Sequence, residues 1–222
     1  MKILVTAGAT MTMIDQVRAI TNIFKGRTGT DIARYLHSRH EVTLLTSNPE
    51  LAEKQYHLMT VHFCRVIKYK TFDDLAELME HEVRTGNYDV IIHSAAVSDY
   101  QVDGIETPTM VGRMEVHGRD KKISSSHDVL YLRLVPTFKI VDKIRSEWGF
   151  KGKLVKFKLQ VGISETELLK IAMKSREDSD ADFIVANCLE WASQYALIVD
   201  RDNIVERVTR QALPEAIERR LK

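Results

Sequence analysis

The sequence predicts a three-layer, Rossmann-like α/β domain with a mainly parallel sheet, helices on both faces and an antiparallel addition at the C-terminus. Strand-like runs rich in β-branched residues mostly alternate with segments of helical period. This alternation is typical of parallel strands joined by crossover helices. With 222 residues, 44% hydrophobic and 28% charged, residues 1–222 can bury one core and form a single domain.

The strand-like runs justify the sheet in chain order. They are KILVTA, EVTLLTS, VHFCRVIKY, YDVIIHSAA, VLYLRLV, KLVKF and DFIVAN. Between the first two, the segment from Gly29 to His40 places Ile32, Ala33 and Leu36 on one stripe, which predicts a helix with a core-facing side.

Start signals predict two further helices. Thr71 with Asp74, and Ser164 with Glu167, have the spacing of a capping box ahead of apolar positions. Near the end, YALIVDRDNIVERV reads as two antiparallel strands around an Asp-Asn turn, and Pro214 suits the first turn of a closing helix.

The segment from Gln101 to Asp128 has little periodicity, and glycines and a proline are scattered through it. A compact domain seldom keeps so long an irregular stretch without using it. We therefore expect residues 101–128 to be a flexible lid, a dimer arm or a disordered loop.

Composition narrows the class of function. Lys and Arg number 32 against 31 Asp and Glu, so no global positive field favours nucleic acid as a partner. No apolar window is long enough to span a membrane and no signal peptide precedes the first strand, so we expect a cytoplasmic protein without membrane contact. Cys64 and Cys188 lack paired spacing and are expected to be buried free thiols.

The loop after the first strand, VTAGATMTMIDQVRAITNIFKG, is the expected ligand site, because ligands of open α/β sheets gather at the carboxyl ends of strands. Neither G-x-G-x-x-G nor G-x-x-x-x-G-K-[ST] occurs. No tyrosine has a lysine four positions on, as a short-chain dehydrogenase would require. An NAD(P)-binding oxidoreductase is thus disfavoured but stays an alternative.

The sequence resembles the phosphopantothenate–cysteine ligases (phosphopantothenoylcysteine synthetases). TAGATMTMIDQVRAITNIFKGRTG is similar to the family's TAGGTxExID-VRxIxNxSSGxxG, and HSAAVSDY to AAAVADY. KKISSS, LRLVPTFKIVDKI, KFKLQ and ADFIVANCL resemble KIxS or KIKK, LxLxKTPDIL, GFKLET and ADLIVANDL. The chain departs from the pattern at Ala9, Phe24, Lys25, Lys156, Gln160 and Cys188.

The resemblance implies a reaction. A nucleoside triphosphate, CTP rather than ATP, would activate the carboxylate of 4′-phosphopantothenate as an acyl-cytidylate, and the amine of cysteine would attack it. Mg²⁺ would accompany the phosphates, although no metal-binding cluster is visible in the sequence. A catalytically inactive nucleotide-binding homologue is the second alternative.

By the same resemblance, catalysis falls to Asn22 on the reacting carboxylate, Lys122 on the α-phosphate and Arg18 on the phosphopantothenate. The residues expected to bind the nucleotide are Gly8, Ala9, Thr10, Ala95, Ala96, Asp99, Lys122, Phe157 and Asn187. The first three would offer loop N–H groups to phosphate, Asp99 would bind the ribose or the metal, and Phe157 and Asn187 would border the base.

The family also implies a homodimer, with the pantothenate pocket built across the interface. Many members carry a flavin-dependent decarboxylase ahead of this domain, whereas the first strand here starts at Lys2. We therefore expect a separate decarboxylase to carry out the next step.

Overall fold

The computed structural model describes residues 1–53, 64–116 and 121–222. The strands are β1 (Lys2–Ala7), β2 (Met11–Met13), β3 (Ala19–Thr21), β4 (Glu41–Thr46), β5 (Arg65–Lys68), β6 (Val90–His93), β7 (Tyr100–Thr109), β8 (Gly112–Glu115), β9 (Tyr131–Pro136), β10 (Lys153–Gln160), β11 (Phe183–Cys188), β12 (Tyr195–Asp200) and β13 (Val205–Thr209). The helices are α1 (Arg27–His37), α2 (Pro49–Glu53), α3 (Phe72–Thr85), α4 (Ile140–Ser146), α5 (Glu165–Asp178) and α6 (Leu213–Leu221).

The main sheet has eight strands in the order β13-β12-β11-β10-β6-β1-β4-β5. Six neighbouring strands of this sheet run parallel, namely β11, β10, β6, β1, β4 and β5. Strands β12 and β13 join them antiparallel. The chain builds outward from β1 on one side and then continues through β6 on the other, so the direction of winding changes between β1 and β6. This switch point is where open α/β sheets bind ligands.

Alternate residues of the strands fill cores on the two faces of the sheet. On one face, Ile3 and Val5 pack with Ile32 and Leu36 of α1 and with Ile217 of α6. On the other face, Leu4 and Ile91 of the strands pack with Leu75 of α3 and Ile144 of α4. Leu168 of α5 covers Ile184 of β11 on that second face. The three-layer prediction is confirmed.

The helix-capping, turn and proline signals in the sequence are confirmed. Thr71 and Asp74 form both hydrogen bonds of a capping box at the start of α3, and Ser164 accepts from the N–H of Glu167 at the start of α5. The antiparallel strands β12 and β13 flank the predicted Asp-Asn turn, and Pro214 lies in the first turn of α6.

The expectation of an irregular stretch at 101–128 is wrong for most of its described part. Strands β7 and β8 form a hairpin there, and β9 pairs with β7 on its other side. VLYLRLV therefore contributes to this small antiparallel sheet and not to the main one. Its own core, which includes Val102, Ile105 and Ile123, explains why it holds together.

A second difference concerns the loop after β1. The segment forms a short hairpin, β2 with β3, before α1 begins at Arg27. Part of VHFCRVIKY lies outside the described residues. Cys64 and Cys188 are buried free thiols, as predicted, and no helix in the described ranges has the length and apolarity needed to cross a bilayer.

Candidate active site

The loops that follow β1 and β6 are joined by backbone hydrogen bonds at the switch point. The N–H of Ala96 donates to the carbonyl of Gly8 at 2.8 Å, and the N–H of Thr10 donates to the carbonyl of Ala96 at 3.3 Å. The side-chain amide of Asn22 donates to the same Ala96 carbonyl at 3.0 Å. These bonds fix Asn22, from the end of the β2–β3 hairpin, beside the carboxyl ends of the two central strands.

Helix α1 begins directly against the end of β1. Gly26, with φ of 85°, is its N-cap, and no side chain caps the helix or places an acid in its first turn. The first N–H groups of a helix have no intrahelical partner and carry partial positive charge. Gly26, Arg27, Thr28 and Gly29 all line the cavity described next.

A cavity of about 490 Å³ opens over these carboxyl ends. Its described lining is rich in cationic side chains, namely Lys25, Arg27, Lys139, Lys156, Lys158 and Arg210. Asp99 is the one acid among the described lining residues, and it lies 3.5 Å from the ammonium of Lys139. A chain with a net charge of only +1 therefore concentrates positive charge in this cavity, which suits a polyanionic ligand.

Another cavity, of about 520 Å³, lies at the amino ends of the strands, beside Asp89 and Lys153. Its charges are largely paired, because Arg145 and Arg201 both bond to the carboxylate of Asp182. We place the site at the carboxyl ends, where the cations have few acidic partners and where the topology directs ligands.

Most of the residues predicted to form the site do lie together at this cavity. Its lining includes Gly8, Asn22, Ala95, Ala96, Asp99, Phe157 and Asn187. They come from the loops after β1, β3 and β6 and from β10 and β11. Their roles in binding and catalysis stay predictions.

Ala9 and Thr10 differ from the expectation that they offer free N–H groups to phosphate. The N–H of Ala9 donates to the hydroxyl of Ser47 at 2.9 Å, and the N–H of Thr10 is bonded to Ala96. The Thr10 hydroxyl accepts from the N–H of Ser98 at 2.8 Å, and Ala9 and Thr10 are both buried. The N–H donors of Ala9 and Thr10 therefore tie the loops together.

Arg18 and Lys122 lie near each other but are not among the cavity-lining residues. Arg18 donates from its guanidinium to the buried carboxylate of Asp15 and, at 3.0 Å, to the carbonyl of Ile123. The N–H of Ile123 donates to Asp15 at 3.1 Å. These bonds from Arg18, and others from neighbouring N–H groups, hold the pKa of Asp15 well below its usual range. The segment carrying Lys122 is thus docked on the β2–β3 turn, with the Lys122 side chain exposed.

The cavity floor contains buried polar groups. His93, at the end of β6, shares a 3.1 Å hydrogen bond with the hydroxyl of Thr6, and burial lowers its pKa to about 4. Lys156 pairs in register with His93 and donates to the carbonyl of Ser175 and the hydroxyl of Ser179. Burial lowers the pKa of Lys156 to about 8. At neutral pH, therefore, His93 is neutral, and Lys156 holds its proton less firmly than an exposed lysine does.

Two parts of the site were missed from the sequence. The first turn of α1 was assigned no ligand role, although Gly26 followed by Thr28 and Gly29 could have indicated a close approach to the preceding strand. Arg210, at the end of β13, gave no signal, because only the fold brings the C-terminal addition next to α1.

The fold and the cavity together define an α/β domain with an anion-binding site at the switch point of its sheet. The chain belongs to the family described as the DNA/pantothenate metabolism flavoprotein C-terminal domain, whose model matches residues 1–222.

The relatives agree with this membership. The chain is 35% identical over 225 residues to the coenzyme A biosynthesis bifunctional protein CoaBC of Thermococcus kodakarensis, covering 97% of this chain and 49% of that protein. It is 24% identical over 192 residues to CoaBC of Methanocaldococcus jannaschii, covering 85% of this chain and 40% of that protein. The chain thus spans about half the length, or less, of these curated relatives.

Solved structures are similar over nearly the whole chain. The DNA/pantothenate metabolism flavoprotein from Streptococcus pneumoniae has a TM-score of 0.82 and 32% identity, with 100% of this chain and 98% of that chain covered. A Cab2 mutant in complex with phosphopantothenate-cysteine has a TM-score of 0.74 at 17% identity, covering 98% of this chain and 85% of that one, which supports the fold alone.

Proposed function

We propose that this chain is a phosphopantothenate–cysteine ligase. It activates the carboxylate of 4′-phosphopantothenate with CTP, releases pyrophosphate, and lets the amine of cysteine displace CMP from the acyl-cytidylate. The observation that carries the proposal is the cation-rich cavity at the switch point, where a triphosphate and a substrate with both phosphate and carboxylate could meet. The names of the CoaBC relatives support the pathway.

The geometry suggests a division of labour within the cavity. The N–H groups of the first turn of α1 face the phosphates, as helix N-termini commonly do. Asn22 uses one amide N–H to bond Ala96, and its second amide N–H serves the reacting carboxylate and later the acyl carbonyl. Asp99 takes the ribose or the metal, and Phe157 and Asn187 border the base.

Lys122 acts on the α-phosphate only if its exposed side chain reaches the cavity from the segment docked at Asp15, so its role includes a movement. The guanidinium of Arg18 is already bonded to Asp15. Arg18 therefore helps to bind phosphopantothenate by shaping the β2–β3 turn or through one of its remaining N–H donors.

Mg²⁺ fits this site as a companion of the phosphates. Among the described residues, no group of three or more His, Cys, Asp or Glu side chains could hold a metal. Mg²⁺ commonly binds through substrate phosphates with one or two carboxylates, and Asp99 is available for that. When bound, the ion would neutralise charge on the triphosphate.

We also propose that the active form is a homodimer and that decarboxylation of the product occurs at a different active site. The β7–β8 hairpin, with exposed Met110, Val111 and Met114, supports the first proposal. The second is supported by the cation-rich lining of the cavity, which suits the ligase reaction proposed above. Cytoplasmic localisation stays a prediction from the sequence.

Pyrophosphate release tests the proposed function. The assay uses CTP or ATP, with and without phosphopantothenate and cysteine, on wild type, Asn22→Ala and Lys122→Ala, with Lys170→Ala as a control at an exposed lysine of α5. We expect release that requires phosphopantothenate and prefers CTP. Each of the two site variants should lose at least about a hundredfold, and the control should keep its rate.

Binding of CTP without pyrophosphate release would favour the inactive homologue, in which Phe24 and Lys25 at the cavity wall alter the site. Binding of NADPH in place of CTP would favour the oxidoreductase. A normal rate in Asn22→Ala or Lys122→Ala would reject the role given to that residue.

A further inference from the structure

Arg210 lies where the C-terminal antiparallel addition meets the cavity. Its backbone N–H donates to the carbonyl of Gln194 at 2.9 Å, which fixes the chain at the end of β13. Its guanidinium donates to the side-chain carbonyl of Asn187 at 3.2 Å and is bonded to the hydroxyl of Thr28. The side chain thus connects β11 with the first turn of α1 and lines the cavity between them.

Both side-chain partners of Arg210 are neutral. Within the described parts of the chain, no carboxylate forms an ion pair with it; Asp31, the acid that acts on it from a distance, is bonded to Arg34. Other arginines of the same C-terminal region differ, since Arg219 and Arg220 both pair with Glu206. Burial also lowers the pKa of Arg210 below its ordinary value.

A partly buried cation with only neutral partners is costly unless something compensates its charge. Two of the five N–H donors of an arginine are accounted for by Asn187 and Thr28. The remaining donors and the uncompensated charge are available to an anion in the cavity. The N–H groups of the first turn of α1, which no acidic side chain caps, converge on the same region.

We propose that Arg210 binds the β- and γ-phosphates of the nucleotide, and the pyrophosphate formed from them, as a clamp formed together with the first turn of α1. This assignment deepens the proposed function and rests on it for the identity of the nucleotide. Asn187 then positions Arg210 through its side-chain carbonyl and keeps its side-chain N–H groups for the base. The C-terminal antiparallel strands then also have a function, because they place at the cavity a cation that the parallel strands do not supply.

Calorimetric titration of the intact chain tests the clamp with inorganic pyrophosphate and, separately, with CMP, which lacks the β- and γ-phosphates. The variants are Arg210→Gln and Arg210→Lys, with Arg207→Gln as the control. Arg207 lies in β13, which ends just before Arg210, but the Arg207 side chain is exposed and paired with Glu165. Thermal melts establish that each variant folds.

We expect Arg210→Gln to weaken pyrophosphate binding at least about tenfold, because a charge-assisted hydrogen bond is lost. CMP affinity should change less than about threefold, and Arg210→Lys should retain part of the pyrophosphate affinity because the charge remains. Arg207→Gln should bind both ligands as wild type does. Unchanged pyrophosphate binding in Arg210→Gln, or equal losses for both ligands, would overturn the clamp.

Chemical modification of the wild type tests the clamp without the need for a folded variant. Phenylglyoxal modifies accessible arginines, and mass spectrometry locates the product. Pyrophosphate should protect Arg210 from modification, whereas CMP should not. No protection by pyrophosphate would reject the clamp. Because neither assay contains phosphopantothenate or cysteine, a failure of the ligase proposal would appear separately, as absent pyrophosphate release in the wild type.

Discussion

Gly26 and Gly8 determine how closely α1 approaches the end of β1. Both have positive φ, 85° and 91°, a conformation that glycine adopts without steric cost. A Cβ on Gly26 would lie 2.2 Å from the backbone nitrogen of Gly8 and 2.7 Å from its Cα. Backbone atoms cannot move aside as a flexible side chain can. The contact therefore depends on glycine at 26, and it places the helix N-terminus at the cavity.

Gly26→Ala should destabilise the protein and weaken CTP binding. The matched control is Gly149→Ala, because Gly149 also has positive φ but a Cβ added there would meet open space, with nothing within 4 Å. The control should cost about 1 kcal/mol from backbone strain alone. Gly26→Ala should cost roughly 1–3 kcal/mol more, from overpacking. Urea unfolding measures the loss of stability in each of the two variants. Equal losses would show that the close contact at Gly26 does not matter.

Many residues of the site could be predicted from the sequence, but their hydrogen-bond partners could not. Gly8, Asn22, Phe157 and Asn187 were identified because they belong to motifs or follow strands, and all of them line the cavity. The N–H groups of Ala9 and Thr10 were assigned to phosphate because a bare motif does not show the bonds to Ser47 and Ala96. Arg210 lies far along the chain from Thr28, and no local pattern predicts that contact.

Among the elements, the β7–β8 hairpin is the one that the sequence described least well. Its strands contain Gly104 and Pro108, which weaken the alternating pattern, and a shift in register falls between Val102 and Gly104. Such features are typical of twisted antiparallel strands with a bulge. The hairpin tip carries Met110 and Val111, both fully exposed, so the element buries little there within one chain.

Replacing the two apolar side chains at the tip, in the double variant Met110→Ser and Val111→Ser, should weaken homodimer formation. Burial of side chains of this kind contributes about 1.5–3 kcal/mol each, so the dissociation constant should rise at least about tenfold. Ile204→Ser is the control, since Ile204 is exposed in the β12–β13 turn. Sedimentation velocity over a range of concentrations measures the change. A wild type that stays monomeric, or a double variant that dimerises normally, would contradict the arm role.

For the whole molecule, the order of strands explains why a site exists between β1 and β6. The mainly parallel sheet was predictable from the alternation of strand and helix patterns, and the closing hairpin and α6 from their turn and proline, but the order of the strands comes from the structure alone. What periodicity could not predict was the insertion of β2 and β3 and the separate sheet of β7, β8 and β9. Of the cationic side chains that line the cavity, Lys156 and Lys158 belong to β10, and the others come from loops and from α1.

A crystal structure of the chain with CTP would show directly whether the nucleotide binds at the carboxyl ends of the strands. We expect the triphosphate against residues 26–29 and Arg210, with the base near Phe157. This placement would be contradicted by CTP in the cavity at the amino ends, beside Arg145 and Lys151, while the cavity over β1 and β6 held none.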